Sequence, residues 1–323
     1  MYENYYKLKR PPFEVTPDPS FLFATKRHNE ALAVLYYGVR WCKGFVVLTG
    51  QVGTGKSLLL RCLLQLLTQS GDVAYAYVFN SRLEPTEFLH YIASDFGLPT
   101  AGKNKGELLF ELCNFVVNRG LNGLTTVLIV DEAHHLSLEA LEEVRLLTNL
   151  ETAQRKLLQI VLVGQPELDD KLDSVQMTQL KQRIAIRSHL EPLNFEETRG
   201  YIERRLEIAR TDPRAPAIFP PEAIAAIYRH SRGIPRLINT VCENAMISAY
   251  ARQLATIPAD IIDEVAKEFR LHMLRPVETR GGFDEIDLQQ AARMLVDIYA
   301  SMQKPVVRET PAPAAIPPRF RQA

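Results

Sequence analysis

The sequence predicts an α/β protein: a three-layer αβα sandwich around a five-stranded parallel sheet, followed by a small all-helical subdomain. Three observations predict it. Five short β-rich runs alternate with helical stretches between Phe45 and about Leu193. A glycine-rich loop stands between the first run and the helix after it. Beyond Asn194 the strand signals stop, while amphipathic helices continue. Strands separated each time by a helix need crossover connections, and these make a parallel sheet covered on both faces.

Residues 1–23 are rich in proline and aromatics (Pro11, Pro12, Phe13, Pro17, Pro19, Phe21, Phe23), which suits an extended arm lying on a core. The strand runs are FVVLTG, VAYAYVF, TTVLIVDE, LQIVLVG and AIRSHLEPL. The later helices are EETRGYIERRLEIAR, PPEAIAAIYRH with prolines at its start, PRLINTVCENAMISAYARQ and PADIIDEVAKEFRLH. These boundaries divide the chain into 1–195, an αβα domain including the arm, 196–270, the helical part, and 271–323. In the last part a Gly281-Gly282 break precedes an expected helix at about 283–303, with Leu288, Ala291, Leu295, Ile298 and Met302 on one face. A Pro/Ala-rich tail, expected to be disordered, follows it.

Composition excludes some classes and leaves others open. A chain of 323 residues that is 46% hydrophobic can bury a sizeable core. Lys plus Arg and Asp plus Glu both total 38, so no net field recruits nucleic acid or anionic lipid, although a local basic face remains compatible with neutrality. Cys42, Cys62, Cys113 and Cys242 are far apart and form no CxxC pair, which fits reduced structural thiols. The N-terminus lacks an apolar signal region and no run reaches the roughly 18 apolar residues needed to span a bilayer, so a cytoplasmic protein is expected.

The strongest motif is GQVGTGKS, Gly50 to Ser57, which matches G-x-x-x-x-G-K-[ST] between a strand and a helix. Glycines let backbone N–H groups wrap a phosphate chain, and the helix N-terminus adds partial positive charge. The expected nucleotide-binding residues are Gly50, Gln51, Val52, Gly53, Thr54, Gly55, Lys56, Ser57 and Leu58. Lys56 is expected to reach the β- and γ-phosphates of ATP and Ser57 to ligate Mg²⁺. In TTVLIVDEAHHL a buried strand ends in Asp131 and Glu132. Asp131 is expected to hold Mg²⁺, and Glu132 to orient and deprotonate the attacking water. His134 and His135 read as structural histidines, because adjacent positions on a helix or turn diverge.

The segments YYKLKRPPFEVTPDPSFLF, GQVGTGKS, LIVDEAHHL, LVGQPEL, LKQRI and GIPRLIN together resemble the ExeA/GspA group of secretion-associated AAA+ ATPases, from Met1 to about Phe269. That resemblance implies an ATPase and places Gln165 where a sensor 1 residue feels the γ-phosphate; composition alone reads it equally as a turn glutamine. It aligns Arg183 with the arginine finger supplied to a neighbouring subunit, with Arg187 as the competing position and an ordinary surface role open for either. It aligns Arg236 with sensor 2 on the helical lid, where a plain helix start is the other reading. Phe21–Leu32 corresponds to the stretch near the adenine ring.

A finger acting in trans implies a homo-oligomer, a ring or filament. Longer ExeA-type proteins continue into a transmembrane helix and a peptidoglycan-binding domain, and this chain is expected to be a short form acting from the cytoplasmic side, peripheral to the inner membrane through a secretion or envelope-assembly partner. Two other functions stay open: a DNA-associated regulator like the MuB and TniB transposition ATPases, and an ATP-gated binding switch. The letters DEAH at 131–134 do not indicate a helicase, which needs two motor domains.

Overall fold

The computed structural model describes residues 1–79, 82–212 and 215–271. The helix expected at about 283–303 and the Pro-rich tail lie outside the described residues.

Five parallel strands, β1 (Phe45–Gly50), β2 (Val73–Val78), β3 (Thr125–Val130), β4 (Leu158–Gly164) and β5 (Ile186–Leu190), form one sheet in the order β2-β3-β4-β1-β5. β1 and β4 are buried along their whole length and β3 all but its first residue, because all three are central strands covered on both faces. The edge strands β2 and β5 are only partly buried.

The pleat sends alternate side chains to two different cores. On one face Val46, Leu48, Val127, Ile129, Val161 and Val163 pack under α2 (Lys26–Arg40) and α3 (Lys56–Gln69). On the other, Val47, Leu128, Val130, Ile160 and Leu162 pack under α4 (Pro85–Asp95), α5 (Lys105–Leu121) and α6 (Leu138–Leu147). Two short helices, α7 (Pro166–Leu172) and α8 (Thr178–Lys181), lead from β4 to β5.

After β5 the chain turns helical: α9 (Phe195–Ala209), α10 (Pro221–Ser231), α11 (Pro235–Ala251) and α12 (Ala259–Glu268). Asn194 starts α9 with a capping box. Its side chain accepts from the Glu197 N–H at 2.9 Å and its own N–H donates back to Glu197 Oε2 at 2.9 Å. Pro221 and Pro235 each occupy the first turn of their helix, where no N–H is missed.

The N-terminal arm packs with this helical group rather than with the sheet. Its short helix α1 (Tyr2–Tyr5) leads into Tyr6, Leu8 and Phe13, and these share one core with Ile202, Leu206, Ile224 and Val241. Tyr2 donates its hydroxyl to Glu243 at 2.7 Å, Tyr6 donates to the Leu254 carbonyl at 2.9 Å, and Lys9 N–H donates to Ala209 O at 2.7 Å. Further along, the buried Arg205 donates to the carbonyls of Pro12 and Glu14 and covers the Phe21 ring at 4.6 Å. Arg61 of α3 reaches the Pro17 carbonyl at 2.6 Å, so the arm spans from the helical group to the αβα layer.

Phe13 is fully buried edge-on against Phe219, with ring centroids 5.9 Å apart. Phe13→Ala is expected to cost about 3–5 kcal/mol of stability, the usual loss for a buried Phe, read as a lower denaturation midpoint.

Candidate nucleotide site

The loop between β1 and α3 is shaped by two glycines in the left-handed region, Gly53 at φ 83° and Gly55 at φ 102°. Gly53 also faces a close neighbour: a Cβ there would stand 2.7 Å from Arg236 Cβ. Thr54 closes the loop on itself by donating its hydroxyl to Gln51 O at 2.9 Å. Val52 at the tip is exposed, whereas Leu58 starts the first turn of α3 and packs on the core beneath it.

Lys56 is only 6% exposed, and its ammonium lies inside the loop, donating to Gly50 O at 2.7 Å and Gln51 O at 2.8 Å. Burial pushes its pKa down, and the nearby Glu132, Asp131 and Glu167 carboxylates oppose that shift. A phosphate chain in the loop offers the same ammonium stronger, anionic acceptors.

At the tip of β3, Asp131 is almost buried and gathers three donors. Tyr77 O–H donates to Oδ2 at 2.9 Å, Ser57 O–H reaches the same oxygen at 3.5 Å, and Glu132 N–H donates to Oδ1 at 2.8 Å. Burial, and then the Asp131 charge, push the Tyr77 hydroxyl well up, so it stays protonated and a donor. A carboxylate and a hydroxyl at the mouth of a phosphate-shaped loop are hard oxygen ligands that fit Mg²⁺.

Glu132 has φ 50°, an uncommon conformation for a non-glycine residue, and begins the short turn Ala133–His135. The turn aims its half-exposed carboxylate toward the end of β4. There Gln165 precedes α7, with Pro166 in the first turn of that helix. Gln165 Nε2 lies 3.5 Å from Glu132 Oε2 and 2.9 Å from His134 Nε2, and His134 Nδ1 lies 3.4 Å from Glu132 Oε2. Burial, followed by the neighbouring His135, lowers the His134 pKa and keeps its ring neutral.

Two further residues close the loop from outside. His28 of α2 is buried with Nε2 3.1 Å from Thr54 O and Nδ1 2.7 Å from Thr25 Oγ1. Arg236 N–H donates to Gly53 O at 3.2 Å. Arg236 is held there because Leu193, just after β5, donates its N–H to Gly233 O at 2.8 Å. Gly233 has φ 73°, and a Cβ on it would fall 1.8 Å from Leu193 O. No residue but glycine fits that junction.

Lys56, Ser57, Asp131, Glu132, Gln165 and Arg236 therefore meet around one loop, and Arg183 and Arg187 do not join them. Ala185 N–H donates to Phe45 O at 2.9 Å, which puts the segment before β5 at the start of β1, whereas the loop follows the end of β1. Six residues of strand separate the two ends, roughly 16 Å at 3.3 Å per residue. Arg183 binds Thr148 Oγ1 at 2.6 Å and Asn149, and Arg187 pairs with Asp169 and Asp173 at 3.4 and 3.3 Å.

Tyr77, His28 and His134 were not singled out as site residues by sequence reasoning. Tyr77 carried one usable signal: it stands near the tip of the strand that pairs with β3, opposite Ile129.

Comparison with known proteins adds relatives. The AAA domain family matches residues 42–172. General secretion pathway protein A of Aeromonas hydrophila is 44% identical over 253 residues, covering 78% of this chain and 45% of that protein. The Mu-like prophage FluMu DNA transposition protein B of Haemophilus influenzae is 33% identical over 98 residues, 30% of this chain and 31% of that one. The chain thus spans less than half the length of either curated relative. Among solved structures, the Aeropyrum pernix ORC2 protein superposes with a TM-score of 0.59 at 20% identity over 83% of this chain and 75% of its own. Drosophila ORC bound to DNA does so with 0.63 at 17% identity over 84% of this chain and 66% of its own. At these identities the structures show a shared fold.

Proposed function

This chain carries an AAA+ ATPase domain related to General secretion pathway protein A, and from that premise we propose that it binds ATP with Mg²⁺ in the Gly50–Leu58 loop and hydrolyses it in an oligomer. The observation that carries this reading is the convergence of Lys56, Ser57, Asp131, Glu132, Gln165 and Arg236 on one loop.

In this reading Gly50, Gln51, Val52, Gly53, Thr54 and Gly55 wrap the phosphate chain, and Lys56 turns from the loop carbonyls to the β- and γ-phosphate oxygens. Ser57 and Asp131 hold Mg²⁺, which neutralises charge that develops on the phosphates. Glu132 takes the proton of the attacking water. Gln165 contacts the γ-phosphate from the end of β4. Residues 196–270 act as a lid and bring Arg236 to the nucleotide, while 1–195 form the nucleotide-binding domain.

Arg183 is the finger in this scheme. It stands at the far end of its own sheet, which is where a group serving a neighbour's site belongs; its hydrogen-bond partners Thr148 and Asn149 are neutral, and the Glu142 and Glu151 carboxylates lie near enough to feel its charge. Arg187 is committed to two aspartates. Arg183→Ala is expected to lower turnover about 10³-fold or more, the contribution of such a finger, with ATP affinity little changed. Normal turnover in that variant removes Arg183 from the role.

The cellular task we propose is assembly or remodelling of an envelope, secretion or polysaccharide-export system from the cytoplasmic side. Among the described residues no helix is long and apolar enough to cross a membrane. The likeness to a DNA transposition protein motivates a second reading, a DNA-associated regulator. Steady-state turnover against protein concentration, with and without duplex DNA, separates the two. Turnover that rises with concentration and ignores DNA supports the first; strong DNA stimulation supports the second.

A further inference from the structure

The loop after β1 is held from outside by a buried side chain of α2, and both proton positions on that side chain follow from its partners. His28 Nε2 lies 3.1 Å from the Thr54 carbonyl, which can only accept, so Nε2 carries a proton and donates it. Burial lowers the pKa of the ring, against the opposing Thr54 contact and the Glu197 charge, so the imidazole carries one proton rather than two. Nδ1 is then an acceptor and takes the Thr25 hydroxyl proton at 2.7 Å, while the His28 backbone N–H donates to the same Thr25 oxygen at 3.2 Å. Thr25 is the N-cap of α2. The start of that helix fixes the ring, and the ring reaches the loop.

The Thr54 carbonyl is one half of the Thr54–Gly55 peptide group. That group is planar and trans, so its C=O and N–H point in opposite directions. Gly55 stands at φ 102°, and a Cβ on it would lie 3.2 Å from His28 Nε2, so the imidazole covers this peptide on the α2 side. Glycine resists rotation of its peptide weakly, because both signs of φ are open to it. The His28 hydrogen bond supplies the missing resistance: with the carbonyl held toward α2, the Gly55 N–H is turned away from α2.

We propose that His28 is a positioning residue of the nucleotide site, which by donating to Thr54 O aims the Gly55 N–H at a phosphate oxygen of the bound nucleotide. The same hydrogen bond polarises the amide and makes that N–H a better donor. ADP and ATP both place phosphates in such a loop, so the contact serves both. It is made in the ground state and the transition state alike, and therefore acts on affinity rather than on the hydrolysis step. This rests on the reading of Gly50–Leu58 as a phosphate site.

The donor can be kept or removed without altering the loop itself. In His28→Gln the side-chain amide reaches the Nε2 position and can donate to Thr54 O; in His28→Asn it reaches only the Nδ1 position, and His28→Leu fills the space with no donor. The test titrates the full chain and these three variants with ADP and with ATP in the presence of Mg²⁺, and measures kcat and KM for ATP. His28→Asn and His28→Leu are expected to bind both nucleotides about tenfold or more weakly, the usual scale for loss of a partner that orients a ligand-binding group, with KM raised and kcat within a factor of about three. His28→Gln is expected to stay within about threefold of wild-type affinity, because the hydrogen bond is kept. Wild-type affinity in His28→Leu overturns the proposal. A His28→Gln variant as weak as His28→Leu overturns it too, since the shape of the ring and not its donor is then what matters, and so does a loss confined to kcat. Should His28→Leu fail to fold, the contrast between Asn and Gln carries the same decision. A wild-type chain that binds neither ADP nor ATP overturns the reading of the loop itself.

Discussion

Glu132→Gln is expected to bind ATP as tightly as the unaltered protein and to hydrolyse it about 10²–10⁴-fold more slowly, the range that removal of a general base costs. The substitution is nearly isosteric. It leaves the backbone of the β3 tip intact, including the Glu132 N–H donated to Asp131 Oδ1 at 2.8 Å, so the Asp131 carboxylate stays where it can hold Mg²⁺. What disappears is an acceptor basic enough to take a proton from water. Single-turnover hydrolysis beside an equilibrium nucleotide titration checks both halves. Turnover within tenfold of wild type means that the proton leaves by another group.

Lys56→Ala is expected to lose affinity itself. Removing a charged partner of a buried anion costs on the order of 2–5 kcal/mol, about 30-fold to a few thousandfold in dissociation constant. Without nucleotide the ammonium is already enclosed by the Gly50 and Gln51 carbonyls, so the phosphate takes over a charge that the fold has partly desolvated. Because the change lies at the loop rather than in either sheet core, the nucleotide-free denaturation midpoint is expected to move by only a few degrees, corresponding to about 1 kcal/mol or less. A calorimetric titration at millimolar ATP reads the loss; affinity equal to wild type removes Lys56 from the phosphate contact.

Most of the sheet was legible because its central strands are long apolar runs and each ends at a residue of marked chemistry, Gly50, Asp131 or Gly164. The loop was legible because glycine at positive φ, lysine and a hydroxyl are demands of local geometry. The rest was less so, for physical reasons. Tyr77 reaches Asp131 across 54 positions and His134 meets Gln165 across 31, and no periodicity tells which face of an edge strand or turn will meet a partner so far away. The histidines at 134 and 135, expected to diverge as adjacent residues, instead lie with ring centroids 4.0 Å apart, and His134 also meets Gln165. The arm's aromatic spacing predicted packing on a core without saying which one. The choice was made by complementary apolar faces on α9–α12, more than 180 residues downstream of Phe13.

That last contact has a consequence for how the protein is made. Tyr2 hydrogen-bonds Glu243, 241 positions later, so the arm is synthesised well before the helix it docks on. At about 5–20 residues per second, roughly 12–48 s of synthesis separate the two. Until α9 and Phe219 have been made, Leu8 and Phe13 have no native surface to cover them, and Tyr2 waits for Glu243, while the αβα layer can already complete its sheet. The nascent chain then holds a completed αβα layer behind an incompletely buried aromatic arm, and this is the stage at which chaperone capture or aggregation competes with folding.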